Sequence, residues 1–213
     1  MKLQLALDFD ALERATEFLS IVGEYVDIIE IGTPLLASEG MHAVQKIKQM
    51  YPKKEILCDA KIMDGGETIS EMAFQAGADI VTVLGITNNA TIQGAVQTAG
   101  KYGKMVCADT LGIRASELPR RTKELESMGV QMVAVHTAHD LQDCIAAPIE
   151  ALKVIQQNLH SEKCQSVISG GVKIEDMDQI RVLQPDVVIV GGGLIDADDP
   201  VATAKAFAKA MKE

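Results

Sequence analysis

The sequence contains no tryptophan, and aromatic residues make up only 3% of its 213 positions. Val, Ile, Leu, Met and Ala must therefore fill the interior, a composition typical of parallel strands covered by helices. No segment approaches the roughly 20 consecutive apolar residues of a membrane span, and the N-terminal MKLQLALDFD lacks the apolar core of a signal peptide. We therefore expect a cytoplasmic protein without a membrane partner.

Clusters of basic residues are also missing, and the formal net charge is -10. Nucleic acids are bound by clustered Lys and Arg, so a nucleic-acid partner is not expected. A small anionic ligand remains compatible with this charge, because backbone N–H groups and a metal ion can reverse the potential locally. The four cysteines have neither a CxxC pair nor zinc-site spacing and are predicted to be reduced thiols: Cys58, Cys107, Cys144 and Cys164.

Short apolar, β-branched segments recur along the whole chain, and stretches with helical spacing of apolar residues separate them. Several of these helical stretches end at a glycine, as in 75–79, 101–104 and 127–131. The pattern predicts one (β/α)8 TIM barrel domain over residues 1–213. The predicted strands are 3–8, 26–32, 55–61, 79–85, 105–109, 131–136, 165–171 and 186–193.

An open, doubly wound sheet of the flavodoxin or Rossmann type is the alternative fold. Such sheets typically have five or six strands, and those that bind dinucleotides carry GxGxxG after the first strand. Here LDFDALE follows the first strand, and the chain offers eight strands. The strand count therefore favours the closed barrel.

Charged residues lie where the predicted strands end, which in such barrels is the catalytic end, here called the mouth. Asp59 and Lys61 are two apart on one strand, so both side chains should point into the mouth. Because buried charges are costly, we expect Asp59, Lys61, Asp64 and Asp8 to form one compensated network. A purely structural network, or helix capping by single aspartates, is the alternative.

Two further groups extend this candidate site. Glu30, on the adjacent strand, could complete a Mg²⁺ site with Asp59, water and substrate oxygens. His136 would be the proton carrier at the mouth, whereas His42 and His160 fall in predicted helices and should be solvated. His139 is left undecided at this point.

Glycines follow the last two strands, where TIM barrels commonly bind phosphate through backbone N–H groups. We expect a phosphate site there, and tight turns after the strands are the alternative interpretation. The glycines are Gly170, Gly171, Gly191, Gly192 and Gly193.

The segment DAKIMD (59–64) resembles the D-x-K-x-x-D motif of the orotidine 5′-phosphate decarboxylase superfamily. The likeness covers essentially the whole chain. It is strongest to the 3-hexulose-6-phosphate synthase branch, with the 3-keto-L-gulonate-6-phosphate decarboxylases as the nearest relatives. The segments that carry it are MKLQLALD, YVDIIEIGTPLL, ADIVTVLG, VHTAHDLQ and VVIVGGG.

The resemblance implies a set of roles for the candidate residues. Glu30 and Asp59 would bind Mg²⁺, with Mn²⁺ as an alternative, while Lys61 and Asp64 would shape the site and His136 would act as acid or base. The active site would lie at a homodimer interface, and Asp64 would serve the partner subunit's site.

The implied activity is an aldolase-type lyase reaction. It condenses formaldehyde with D-ribulose 5-phosphate through a Mg-stabilised 1,2-enediolate and gives D-arabino-hex-3-ulose 6-phosphate. Decarboxylation of 3-keto-L-gulonate 6-phosphate would use the same enediolate, and those enzymes typically carry Glu and Arg where this chain has Asp109 and His139. Asp109 favours the synthase, His139 departs from both patterns, and Ser169 leaves the choice open. A non-catalytic sugar-phosphate binding barrel is a third alternative.

Overall fold

Eight parallel strands close into a barrel in chain order in the computed structural model, which describes residues 1–141 and 147–212. The first strand pairs with both the second and the eighth, which completes the closure. The predicted (β/α)8 barrel is confirmed. The strands are β1 (Lys2–Leu7), β2 (Ile28–Ile31), β3 (Glu55–Ile62), β4 (Ile80–Leu84), β5 (Met105–Asp109), β6 (Met132–His136), β7 (Gln165–Ser169) and β8 (Val187–Val190).

Helices connect the strands and pack around the barrel in the described part of the chain. A short 3-10 helix, His139–Leu141, also follows β6. The α-helices are α1 (Leu12–Val22), α2 (Thr33–Glu39), α3 (Met41–Met50), α4 (Gly66–Gln75), α5 (Asn89–Tyr102), α6 (Leu118–Ser127), α7 (Ile149–Asn158), α8 (Met177–Leu183), α9 (Gly192–Ile195) and α10 (Pro200–Ala210).

The side-chain alternation of the strands divides the buried apolar residues into two cores. One set points outward against the helices and includes Leu3, Leu5 and Leu7 of β1. The other fills the barrel interior, as expected for a closed barrel whose lumen is packed. The interior set is Ala6, Ile28, Leu57, Ile80, Cys107, Met132, Ala134, Val167, Val187 and Ile189.

Side-chain caps begin helices α5 and α10. Asn88 accepts a hydrogen bond from Thr91 N at the start of α5, and Asp199 accepts one from Ala202 N at the start of α10. Each such cap contributes about 1 kcal/mol to helix stability. Gly103 ends α5 with φ of 64°, a left-handed conformation that favours glycine, so the predicted glycine end is confirmed here.

Some local predictions hold and others need correction. His42 lies exposed in α3 as predicted, whereas His160 is exposed but follows the end of α7 instead of lying within it. The four predicted strands that included glycines end before the first of them, since β2 stops at Ile31, β4 at Leu84, β7 at Ser169 and β8 at Val190.

The described cysteines are free thiols, as predicted, and the described helices are too short or too polar to span a membrane. Cys58, Cys107 and Cys164 are buried free thiols, and burial raises the pKa of Cys58 and Cys164 to about 12. Cys144 lies outside the described residues. None of the helices in residues 1–141 and 147–212 is long and apolar enough to cross a lipid bilayer.

Candidate active site

An irregularity in β3 shapes the centre of the site. Cys58 pairs with Val81 and Ile62 with Val83, so the three residues 59–61 lie opposite Thr82 alone. Lys61 accordingly adopts φ of 43°, a conformation that non-glycine residues rarely take and that carries backbone strain. Such bulges are common next to active sites, where they redirect side chains.

Asp59 is buried at this bulge, and both oxygens of its carboxylate make polar contacts with neighbouring side chains. It forms an ion pair with Lys61 through Oδ2, which also accepts a hydrogen bond from the Thr33 hydroxyl at 2.7 Å. Thr82 Oγ1 donates to Oδ1 at 2.8 Å and accepts from Lys61 N at 2.9 Å. Both oxygens of the Asp59 carboxylate are therefore held, and the predicted Asp59–Lys61 pairing is confirmed.

Glu30 lies nearby on β2 and is only 7% exposed. Burial, then repulsion from Asp59 and Asp8, raises the pKa of Glu30 well above its usual range. A hydrogen bond from Gln4 Nε2 to Oε2 at 2.6 Å opposes that shift. Ionisation of Glu30 would therefore place more negative charge at the mouth than Lys61 alone balances.

Asp8 follows β1 and lies exposed at the mouth between two glycines. A Cβ at Gly32 would lie 2.1 Å from Asp8 Oδ1, and one at Gly191 would lie 3.1 Å from Oδ2. Although Asp8 reaches solvent, the protein around its carboxyl reduces its hydration, and this effect, followed by repulsion from Asp59, raises the pKa of Asp8. Asp8 thus lies within electrostatic range of the buried carboxylates, as the predicted network requires.

His136 and Asp109 form a second pair across β6 and β5. His136 Nδ1 lies 2.7 Å from Asp109 Oδ2, and Asp109 Oδ1 accepts a hydrogen bond from Leu111 N at 2.8 Å. Because a carboxylate only accepts, Nδ1 carries the imidazole proton and Nε2 is left with its lone pair. This arrangement suits a general base.

His139 lies exposed in the short 3-10 helix after β6. Lys61 lowers the pKa of Asp8 against the effects of desolvation and Asp59, and a proton on the nearby His139 or His136 would lower it further. The structure therefore brings His139 to the mouth, although its role in specificity stays a prediction.

The predicted network is wrong for Asp64 within one chain. Asp64 is exposed, and its Oδ1 accepts a hydrogen bond from Gly65 N at 2.8 Å, so it caps its own loop. The loop is anchored one residue earlier, where the Thr87 hydroxyl donates to Met63 O at 2.6 Å. The contribution of Asp64 to a partner subunit's site stays a prediction.

The glycines after β7 and β8 have structural reasons to be glycine. Gly170 has φ of 88°, and a Cβ there would lie 2.2 Å from Thr137 O, while a Cβ at Gly193 would lie 2.6 Å from Val172 O. Helix α9 begins after Gly191 without a side-chain cap. Its first N–H groups thus suit an anion, but phosphate binding by these glycines, Gly171 and Gly192 included, and the role of Ser169 at the end of β7 stay predictions.

Three polar residues of the site were not among the predicted residues. Thr33 and Thr82 hold Asp59, and Gln4 holds Glu30. Thr82 interrupts the apolar strand IVTVL, and Gln4 interrupts the apolar segment LQLAL of β1, each at an inward-facing position. A buried polar residue within such a strand was the signal that could have identified them.

The donor set fits a hard divalent cation. No three His, Cys, Asp or Glu side chains in residues 1–141 and 147–212 gather as a metal site. Mg²⁺ is commonly bound by one or two carboxylates, with water and substrate oxygens completing its shell. Glu30 and Asp59 are buried oxygen donors whose mutual repulsion a cation would relieve, so these two residues could hold it.

A family model described as orotidine 5′-phosphate decarboxylase / HUMPS family matches residues 1–207. The chain belongs to this family. Among its relatives, the 3-hexulose-6-phosphate synthase 3 of Staphylococcus saprophyticus is 40% identical over 212 residues, which are 100% of this chain and 99% of that protein. This confirms the resemblance that the motif DAKIMD indicated.

Solved structures of the family agree with this placement. A crystal structure of 3-hexulose-6-phosphate synthase from Salmonella typhimurium is 42% identical with a TM-score of 0.95, covering 100% of this chain and 99% of that one. A 3-keto-L-gulonate-6-phosphate decarboxylase from Vibrio cholerae is 29% identical with a TM-score of 0.86, covering 99% and 97%. The synthases are thus more similar to this chain than that decarboxylase is.

Proposed function

We propose that the chain is an aldolase-type lyase that condenses formaldehyde with D-ribulose 5-phosphate to give D-arabino-hex-3-ulose 6-phosphate. The observation that carries this proposal is the hydrogen bond between His136 Nδ1 and Asp109 Oδ2 at 2.7 Å. It prepares a base at the same mouth as a buried carboxylate–lysine group. The identity of 40–42% to synthases supports this choice of reaction.

The first step is proton removal from C1 of the sugar phosphate. His136 Nε2 takes the proton, and Asp109 stabilises the imidazolium that results. The electron pair of the broken C–H bond gives a 1,2-enediolate, whose C1 then attacks the formaldehyde carbon. The formaldehyde oxygen takes up a proton and becomes the new hydroxyl group, so the imidazolium is an available proton source.

Lys61 supplies positive charge beside the oxygens that become negative. Although burial alone would lower the pKa of Lys61, the charges of Asp59 and Glu30 outweigh this effect and raise it, so the ammonium stays protonated. A Mg²⁺ ion held by Glu30 and Asp59, with Mn²⁺ as an alternative, would supply Lewis-acid stabilisation of negative charge on substrate oxygens. The N–H groups around Gly171 and α9 would hold the phosphate.

A homodimer with sites at its interface is part of the proposal. Asp64 is exposed on a loop anchored at Met63 and belongs to the DAKIMD motif, so it is available to a second subunit. We also propose a cytoplasmic location. The proton transfer from C1 to His136 uses residues of one chain and depends on neither the dimer nor the location.

Decarboxylation of 3-keto-L-gulonate 6-phosphate is the second candidate. The position of His139 at the mouth favours it, because a histidine there could orient a proton-donating water toward the enediolate. Its C–C cleavage releases CO₂ and then requires protonation in place of formaldehyde addition. Asp109 and the lower identity to the decarboxylase argue for the synthase.

A paired assay on one preparation with Mg²⁺ tests the proposal. It compares kcat/KM for formaldehyde consumption with D-ribulose 5-phosphate against kcat/KM for CO₂ release from 3-keto-L-gulonate 6-phosphate. Faster CO₂ release would assign the decarboxylase, and absence of formaldehyde consumption would refute the synthase. Lys61→Ala should abolish turnover, whereas Lys101→Ala, which removes an exposed ion pair with Glu67, should not; an active Lys61→Ala protein would contradict the site assignment.

A further inference from the structure

Gln4 is a fully buried polar residue in the barrel interior. It lies on β1, two residues before Ala6, which pairs with Glu30 of β2. Leu3 and Leu5 on either side belong to the outer core, so Gln4 points inward among the apolar interior residues. Its position is therefore one layer below the Glu30 carboxylate, at the floor of the site.

The two ends of the Gln4 amide have different environments. Nε2 donates to Glu30 Oε2 at 2.6 Å, whereas Oε1 is buried and has no hydrogen-bond partner in the described ranges 1–141 and 147–212. In the ionised form that can bind a cation, the Glu30 carboxylate only accepts, so the amide nitrogen of Gln4 faces Glu30 and the amide oxygen faces the apolar side. An unpaired buried acceptor is unfavourable, and an apolar residue would suit this layer better.

We propose that Gln4 is a positioning residue that fixes one carboxylate oxygen of Glu30 and leaves the other oxygen for a divalent cation. This inference rests on the metal site of the proposed function. Partners that orient metal ligands in this way raise metal affinity about 10–100-fold. The layer of the barrel interior that contains Gln4 thus supports the metal site more than it contributes to apolar packing.

A purely structural role makes a different prediction. If Gln4 only satisfied Glu30 in the folded protein, its loss would reduce thermal stability and leave metal affinity unchanged. Gln4→Met keeps the shape and removes both polar atoms. It exchanges one unpaired buried oxygen, Gln4 Oε1, for another, Glu30 Oε2, so we expect the Tm to stay close to that of the wild type.

The test measures Mn²⁺ binding to the full chain in the absence of substrate, by the loss of the free-ion EPR signal. The variants are Gln4→Met, Gln4→Leu in case the first does not fold, and Glu30→Gln. Thr98→Val is the matched control, because Thr98 Oγ1 on α5 is also buried and unpaired within the described part of the chain.

We expect Gln4→Met to raise the Kd for Mn²⁺ about 10–100-fold while Thr98→Val leaves it unchanged. An unchanged Kd in Gln4→Met, or in Gln4→Leu if only that variant folds, would overturn the positioning role provided that Glu30→Gln loses binding. If Glu30→Gln also binds Mn²⁺ normally, the metal site itself is wrong and the inference about Gln4 fails with it.

Discussion

Replacing Asp109 by asparagine should disable the proton transfer while keeping the shape of the site. Asp109 accepts two hydrogen bonds, from His136 Nδ1 at 2.7 Å and from Leu111 N at 2.8 Å. Asparagine has only one accepting oxygen. With that oxygen on Leu111 N, its amide group donates to Nδ1, which must give up its proton, so the imidazole proton moves to Nε2. The opposite amide orientation would place two donors together at Leu111.

The size of the effect follows from the role of the base. General base catalysis contributes about 10²–10⁴-fold, which corresponds to about 2.7–5.4 kcal/mol of activation free energy. Because the Asp109→Asn variant presents a proton where the base should accept one, we expect most of this contribution to be lost. The fold should survive, since the replacement is isosteric and removes a buried charge.

Exchange of the C1 proton of D-ribulose 5-phosphate in D₂O, followed by NMR without formaldehyde, isolates this step. Asp109→Asn should slow the exchange by the factor given above. Thr122→Val is a control that removes a buried hydrogen bond, from Thr122 Oγ1 to Leu118 O in α6, and should exchange at the wild-type rate. Wild-type exchange in Asp109→Asn would refute the tautomer argument.

Three further substitutions test the scaffold around the site. Thr82→Val removes the β4 hydroxyl that bonds Asp59 and Lys61 of the β3 bulge. It should lower both the free energy of unfolding in urea, by about 1–3 kcal/mol, and kcat/KM. Burial raises the pKa of Asp79, but the hydrogen bonds from Lys104 and Lys48 outweigh this effect and lower the pKa below 3.8. These hydrogen bonds therefore stabilise the fold fully above pH 3.8, and their contribution is lost as pH falls through the folded-state pKa. The stability difference between wild type and Asp79→Asn should therefore shrink between pH 7 and pH 3, and a constant difference would contradict it. Asp199→Ala removes the cap of α10 and should cost about 1 kcal/mol in urea without changing kcat.

The fold was predictable because each strand is a short apolar segment and each connection shows helical spacing. All eight strands were predicted, but most of their ends are shifted by one or two residues, and β7 and β8 stop before the glycines that follow them. Those ends depend on φ values and close backbone contacts, such as Gly170 against Thr137 O, which apolar periodicity does not report. The apolar pattern of the sequence thus predicts that a strand exists, whereas tertiary contacts determine where the strand ends.

The site was predictable only where charged residues end a strand. Asp59, Lys61, Asp109 and His136 met this criterion and do lie in pairs. The hydroxyl of Thr33 and the amide of Gln4 could not be inferred in that way, because a neutral polar residue gives no charge signal and its partner comes from another strand. Asp64 was misplaced because motif spacing does not show which way a loop turns.

The bulge in β3 contains residues that serve the proposed chemistry and are not required for closure of the barrel. Three residues of β3 stand opposite Thr82, so the strand carries two residues more than its pairing with β4 requires. Deleting Ala60 and Lys61 would preserve the inward and outward alternation, since a shift of two keeps every later side chain on its face. A shortened barrel of this kind could close without an active site, which makes β3 a place where function can be removed or redesigned with little change to the scaffold.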